Sequence, residues 1–127
     1  MVKTRRGTKP YLLIYAELIT AARYRCTVTY QQLADLVGLP LQGAYMAAEL
    51  GEYLGAIVEE EVQQGHPMLS EINIRVTGQP GPGFFALAKE LDKLNSDDEA
   101  VQQAFWETGK QAVYETWQRS FPRPDRA

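Results

Sequence analysis

The run Thr77-Gly78-Gln79-Pro80-Gly81-Pro82-Gly83 constrains this chain more than any other stretch. Proline fixes φ and removes a backbone donor, and glycine admits left-handed backbone, so their alternation leaves no regular helix or strand. A rigid loop is expected here. Two more breaks, Gly38-Leu39-Pro40 and Gly65-His66-Pro67, divide the residues before it.

Between these breaks the apolar residues repeat at helical spacing. Leu12, Tyr15, Leu18, Ile19 and Ala22 predict an amphipathic helix from Tyr11 to about Arg23. Thr29 with Gln32 three residues on is a capping-box pattern that opens a second helix, ended at Gly38-Leu39-Pro40. A longer helix is expected from about Gln42 to Gln64, with Met46, Leu50, Tyr53, Leu54, Ile57 and Val58 on one face and Gly65 and Pro67 as its stop. From Met68 to Thr77 the period becomes two. Met68, Ile72, Ile74 and Val76 alternate with Glu71, Asn73, Arg75 and Thr77, which predicts a half-buried strand. Phe84 to Leu94 returns to helical spacing. Ser96 and Glu99 form a second capping-box pattern for a last helix to about Arg119, carrying Phe105, Trp106, Val113, Tyr114 and Trp117.

A chain of 127 residues, 45% hydrophobic and 23% charged, has material for one core. The expected organisation is a basic flexible arm over 1–10, a core over 11–94, a helix over 95–119 packed on that core, and a tail over 120–127. The longest apolar run, Tyr11 to Ala16, is far shorter than the roughly 18 residues of a membrane span. Lys3, Arg5 and Arg6 are not followed by a signal-cleavage pattern, so a cytoplasmic chain with no membrane partner is expected. One cysteine, Cys26, and one histidine, His66, exclude an internal disulfide and the usual Cys/His zinc site. No metal or other cofactor is implied.

Tyr30 to Glu49 resembles a helix-turn-helix. Leu33, Ala34 and Val37 precede Gly38 at the turn, and Leu39, Ala44 and Ala47 follow it. A strand after the second helix extends the pattern to a winged helix. The order of helix, Thr27-Val28-Thr29-Tyr30, short helix, longer helix, Pro67-Met68-Leu69 and glycine loop is similar to the DNA-binding half of alkylguanine-DNA alkyltransferases, over roughly residues 11 to 90. That family requires Pro-Cys-His-Arg at its reactive position, where Leu69-Ser70-Glu71-Ile72 stands here, and Cys26 is far away in the chain. No arginine suited to replacing a flipped base occurs from Gln42 to Gln64. The resemblance therefore implies the shape without alkyl transfer. The expected fold class is α+β and mainly helical, a winged helix-turn-helix-like single domain with an added C-terminal helix.

Charge is distributed unevenly. No lysine or arginine occurs from Cys26 to Ile74, whereas Asp35, Glu49, Glu52, Glu59, Glu60, Glu61 and Glu71 all do. The exposed face of the longer helix, with Gln42, Tyr45 and Glu49, would repel a polyanion. A non-catalytic adaptor or regulator is therefore expected, with a protein partner first and a patch at Glu59, Glu60 and Glu61 to receive it. The alternative is nucleic-acid binding through Lys3, Arg5, Arg6, Lys9, Arg23, Arg25 and Arg75, all acting on phosphates.

A small enzyme using residues 65–85 stands third. His66, Ser70 and Glu71 include the residue types of a base, nucleophile and orienting group. In a strand, however, Ser70 and Glu71 point to opposite faces, and helix termination suffices to explain His66. Gly78, Gln79, Gly81 and Gly83 form a candidate recognition loop, although Pro80 and Pro82 remove two of its anion-binding amides. Trp106, Tyr114 and Trp117 could stack on bases, but core packing of the final helix accounts for them better.

Overall fold

Helix α1 is Lys9–Arg23 in the computed structural model, which describes residues 5–118 and 121. Thr8 caps it by accepting from the Tyr11 amide, and Pro10 stands in its first turn, where a missing donor costs least. Strand β1, Val28–Thr29, leads directly into α2, Tyr30–Val37. The capping box is present in both directions: the Gln32 amide donates to Thr29 Oγ1 at 3.1 Å, and the Thr29 amide to Gln32 Oε1 at 2.7 Å. Gly38 closes α2 at φ 82°, a left-handed conformation that glycine adopts without steric penalty.

Helix α3, Ala44–Gln63, is the longest element. It ends at Gly65, also left-handed, where the His66 amide reaches back to the Glu61 carbonyl at 2.8 Å. A 3-10 turn over Leu69–Ile72 and strand β2, Asn73–Ile74, follow. The two short strands are parallel, with Val28 opposite Asn73 and Thr29 opposite Ile74. Helices α4, Pro82–Glu90, and α5, Glu99–Thr116, complete the fold. The protein is thus mainly helical α+β, with one two-stranded sheet among the described residues. No helix of the described residues is long and apolar enough to cross a membrane.

The main core joins Ile14 and Leu18 of α1, Leu33 of α2, Leu50 and Ile57 of α3, Leu69 and Ile72 of the 3-10 turn, and Val113 of α5. A smaller cluster places Phe84 and Ala88 of α4 against Val58, Met68, Leu94 and Trp106. The Trp106 indole N–H donates to the Glu71 carbonyl at 2.8 Å, so α5 is tied to the 3-10 turn by direction as well as by burial.

Several sequence expectations need correction. The buried face of α1 is Tyr11, Ile14, Leu18, Ala21 and Ala22; Leu12 is exposed, and Tyr15 and Ile19 sit at the margin. Of the half-buried strand expected over Met68 to Thr77, only Asn73–Ile74 forms, and Leu69–Ile72 is a 3-10 turn instead. Every residue from Met68 to Asn73 is buried, because the 3-10 turn is enclosed by α1, α3 and α5, and Val76 on the supposed inner face is 73% exposed. Helices begin and end differently too: α3 starts at Ala44, α4 spans Pro82–Glu90 and α5 stops at Thr116. Ser96 does not cap α5. Asp98 does, accepting from the amides of Ala100 and Val101. The expected tail over 120–127 lies outside the described residues except for Phe121.

Candidate functional site

Helix α3 is the common wall of two concavities, and Tyr30 lines both. Which concavity carries which chemistry depends on where the charges finish. The basic arm is the first surprise. Thr8 donates through both its amide and its hydroxyl to the Arg5 carbonyl, and Gly7 at φ 77° turns the chain, so residues 5–8 form a tight bend leading into α1. This bend returns Arg5 to α3, where its guanidinium pairs with the Glu49 carboxylate and lies 5.1 Å from the Tyr53 ring centroid. Arg6 reaches Glu60 at 3.4 Å and Glu59 at 3.6 Å.

The two rival sites read from the sequence therefore meet. Arg5 and Arg6 are not on a free arm, and Glu59 to Glu61 are not a free acidic patch. Glu61 is 1% exposed and belongs to the interior. It accepts from the Tyr15 hydroxyl at 2.5 Å, and His66 Nδ1 lies 3.3 Å from both carboxylate oxygens. Burial, and then the hydrogen bond to Glu61, push the Tyr15 hydroxyl well above its ordinary range. His66 also meets Trp117 edge-on at 5.3 Å between ring centres. The histidine thus has a carboxylate partner that no spacing rule placed beside it, and its role is to close the end of α3.

The remaining sequence candidates disperse. Lys3 lies outside the described residues. Lys9 is exposed in the first turn of α1 and Arg23 in its last. Arg25, left-handed at φ 54°, donates to Gln111 and lies over the Tyr114 ring on the α5 side. Among the described ones, only Arg75 lines the groove between the amino end of α3 and the turn after β2. The recognition loop divides as well. Gly78 and Gln79 shape a tight turn in which the Arg75 amide donates to the Gln79 carbonyl at 2.8 Å. Gly81 is buried beneath Tyr30, since a Cβ there would fall 1.9 Å from the tyrosine hydroxyl, and Gly83 is inside α4.

The groove beside Arg75 has a volume of about 350 Å³ and is also lined by Gln42, Gly43, Met46, Val76 and Thr77. No carboxylate lines it among the described residues, despite the protein's net charge of -3. The first turn of α3 carries no acid, and no side chain caps its amides, so the positive end of the helix faces outward unneutralised. Arg75 also opposes the upward push that burial gives the Tyr30 hydroxyl.

Further along α3, a cleft of about 490 Å³ lies between it and α4. Ser70 lines this cleft, and its buried hydroxyl has no hydrogen-bond partner. The adjacent Glu71 does not complete a catalytic pair. It is buried against Gly109 of α5, and desolvation raises its carboxyl to about 8, with Lys93 opposing. No group of three or more His, Cys, Asp or Glu residues suited to a metal is present among the described residues. Sequence reasoning found Arg75 and Ser70 but not their surroundings, which are made by helices distant in the chain. No family model, curated protein or solved structure matches the chain.

Proposed function

We propose that this chain is a non-catalytic nucleic-acid-binding module of helix-turn-helix type, docking through the amino end of α3 and the turn that carries Arg75. The observation that carries this reading is the carboxylate-free groove in which Arg75 faces the uncapped first turn of α3. Helix amides and a guanidinium are complementary to phosphate oxygens, and neutralising phosphates supplies most sequence-independent affinity. The repulsion expected from Glu49 is relieved by its pairing with Arg5. The similarity of element order to the DNA-binding half of alkylguanine-DNA alkyltransferases agrees with this use, with Ser70 in place of a reactive cysteine.

The test is fluorescence anisotropy with labelled duplex and single-stranded oligonucleotides at about 50 and about 200 mM salt, where few phosphate contacts give a shallow salt slope. Arg75→Ala weakens binding about threefold or more, whereas Arg23→Ala, on the far end of α1, leaves it unchanged. Absence of binding to either nucleic acid at the lower salt rejects the proposal. A second reading, a protein partner on the same face, is favoured by the exposure of Leu41, Tyr45 and Val76, apolar side chains that suit a partner's surface.

A further inference from the structure

We propose that the cleft between α3 and α4 is a second, separate site that binds a small organic cation: an ammonium or guanidinium group on a short apolar body, with another polar group at its far end. Arg5, Arg6, Glu52, Glu59 and Glu90 all line this cleft. Arg5 is engaged by Glu49, and Arg6 by Glu59 and Glu60. Glu52 on α3 and Glu90 on α4 have no ion-pair partner among the described residues, so one carboxylate stands uncompensated on each wall. A cation between two such walls is attracted by both, and an anion is repelled by both.

The interior of the cleft selects the rest of the ligand. Leu54, Phe84 and Leu87 offer an apolar surface, and Gly51 and Gly55 leave the α3 backbone open to close approach, with nothing within 4 Å of where a Cβ would stand. This accommodates an aliphatic body. Ser70 provides the second polar requirement. It is 7% exposed, lines the cleft, and its Oγ is without a hydrogen-bond partner. A buried hydroxyl left unpaired is unfavourable, and a polar ligand group reaching the floor would satisfy it. The groove beside Arg75, nearer the amino end of α3, is lined by a cation and no carboxylate, so the two sites call for different ligands.

The probe is 5-amino-1-pentanol, compared with n-pentylamine, 1-pentanol and 5-hydroxypentanoate, titrated into the full chain and followed by amide NMR shifts of Gly51, Gly55 and Gly83. The aminoalcohol is expected to bind saturably in the millimolar range, as suits so few atoms, with the neutral and anionic analogues weaker by about tenfold. The double variant Glu52→Gln/Glu90→Gln, which alters only exposed side chains, lowers affinity about fivefold or more. Ser70→Ala weakens the aminoalcohol about threefold and leaves n-pentylamine unchanged, a difference that general loosening of the fold would not produce. No saturable shift with either amine, equal binding of 5-hydroxypentanoate, or unchanged affinity in the double variant overturns the proposal. Nucleic-acid binding is measured separately through Arg75→Ala, so failure of one site leaves the other standing.

Discussion

The Tyr15 hydroxyl of α1 donates to the buried Glu61 carboxylate of α3 at 2.5 Å, with His66 Nδ1 3.3 Å from the same group. A carboxylate 1% exposed depends on its donors, because water cannot replace them. Tyr15→Phe is therefore expected to cost about 1.5–3 kcal/mol, the range for a hydrogen bond to a charged group. His66→Ala should cost less, its bond being longer and its ring partly exposed. Urea unfolding checks both, and a Tyr15→Phe loss below about 0.5 kcal/mol would count against the role given to Glu61.

Glu71 gives stability a definite pH dependence. Its folded carboxyl is raised to about 8 by burial, against about 4.3 in an unfolded chain. Between these values the folded state holds a proton that the unfolded state releases, so this contribution to stability falls as pH rises. The slope approaches about 1.4 kcal/mol per pH unit within that window and levels off above it. Glu71→Gln keeps the shape and removes the titration. Unfolding free energies from pH 5 to 9 should therefore converge for the two proteins at low pH and separate as pH rises, with the variant above; parallel curves contradict the assignment.

Two glycines in helices should respond oppositely to alanine. A Cβ on Gly109 would stand 1.7 Å from Glu71 Oε1, which is enclosed and has little room to withdraw. Gly109→Ala is expected to destabilise by about 1–3 kcal/mol, the usual scale of overpacking. Gly55 has nothing within 4 Å, so Gly55→Ala should gain about 0.5–1 kcal/mol of helix stability. Because Gly55 lines the α3–α4 cleft, the same methyl should weaken amine binding while the melting temperature rises.

Arg5 separates indirect from direct electrostatics. If Arg5 assists nucleic-acid binding only by neutralising Glu49, Arg5→Ala weakens association at low salt and Arg5→Ala/Glu49→Gln restores it. A direct phosphate contact from Arg5 would leave the double variant as weak as the single one. Anisotropy titrations of the two variants at one salt concentration distinguish these outcomes.

The sequence by itself determined what acts over a few residues. Thr29 and Gln32 start α2, Gly38 and Gly65 take left-handed backbone at the ends of α2 and α3, and the buried face of α3 follows its helical period from Met46 to Val58. The mainly helical α+β class follows from these signals. Only the tertiary structure decided the strand-like stretch at Met68 to Asn73, because alternation implies one wet face and three helices leave these residues none. It also decided the charges. Arg5 meets Glu49 across 44 residues, Tyr15 meets Glu61 across 46 and Arg6 meets Glu60 across 54, distances over which no periodicity or capping rule operates. Arg75 was visible in the sequence as a lone cation, but α3 supplies the helix end opposite it. Ser70 was visible as a serine beside a glutamate, but residues of α3 and α4, distant in the chain from one another, wall the cleft it lines.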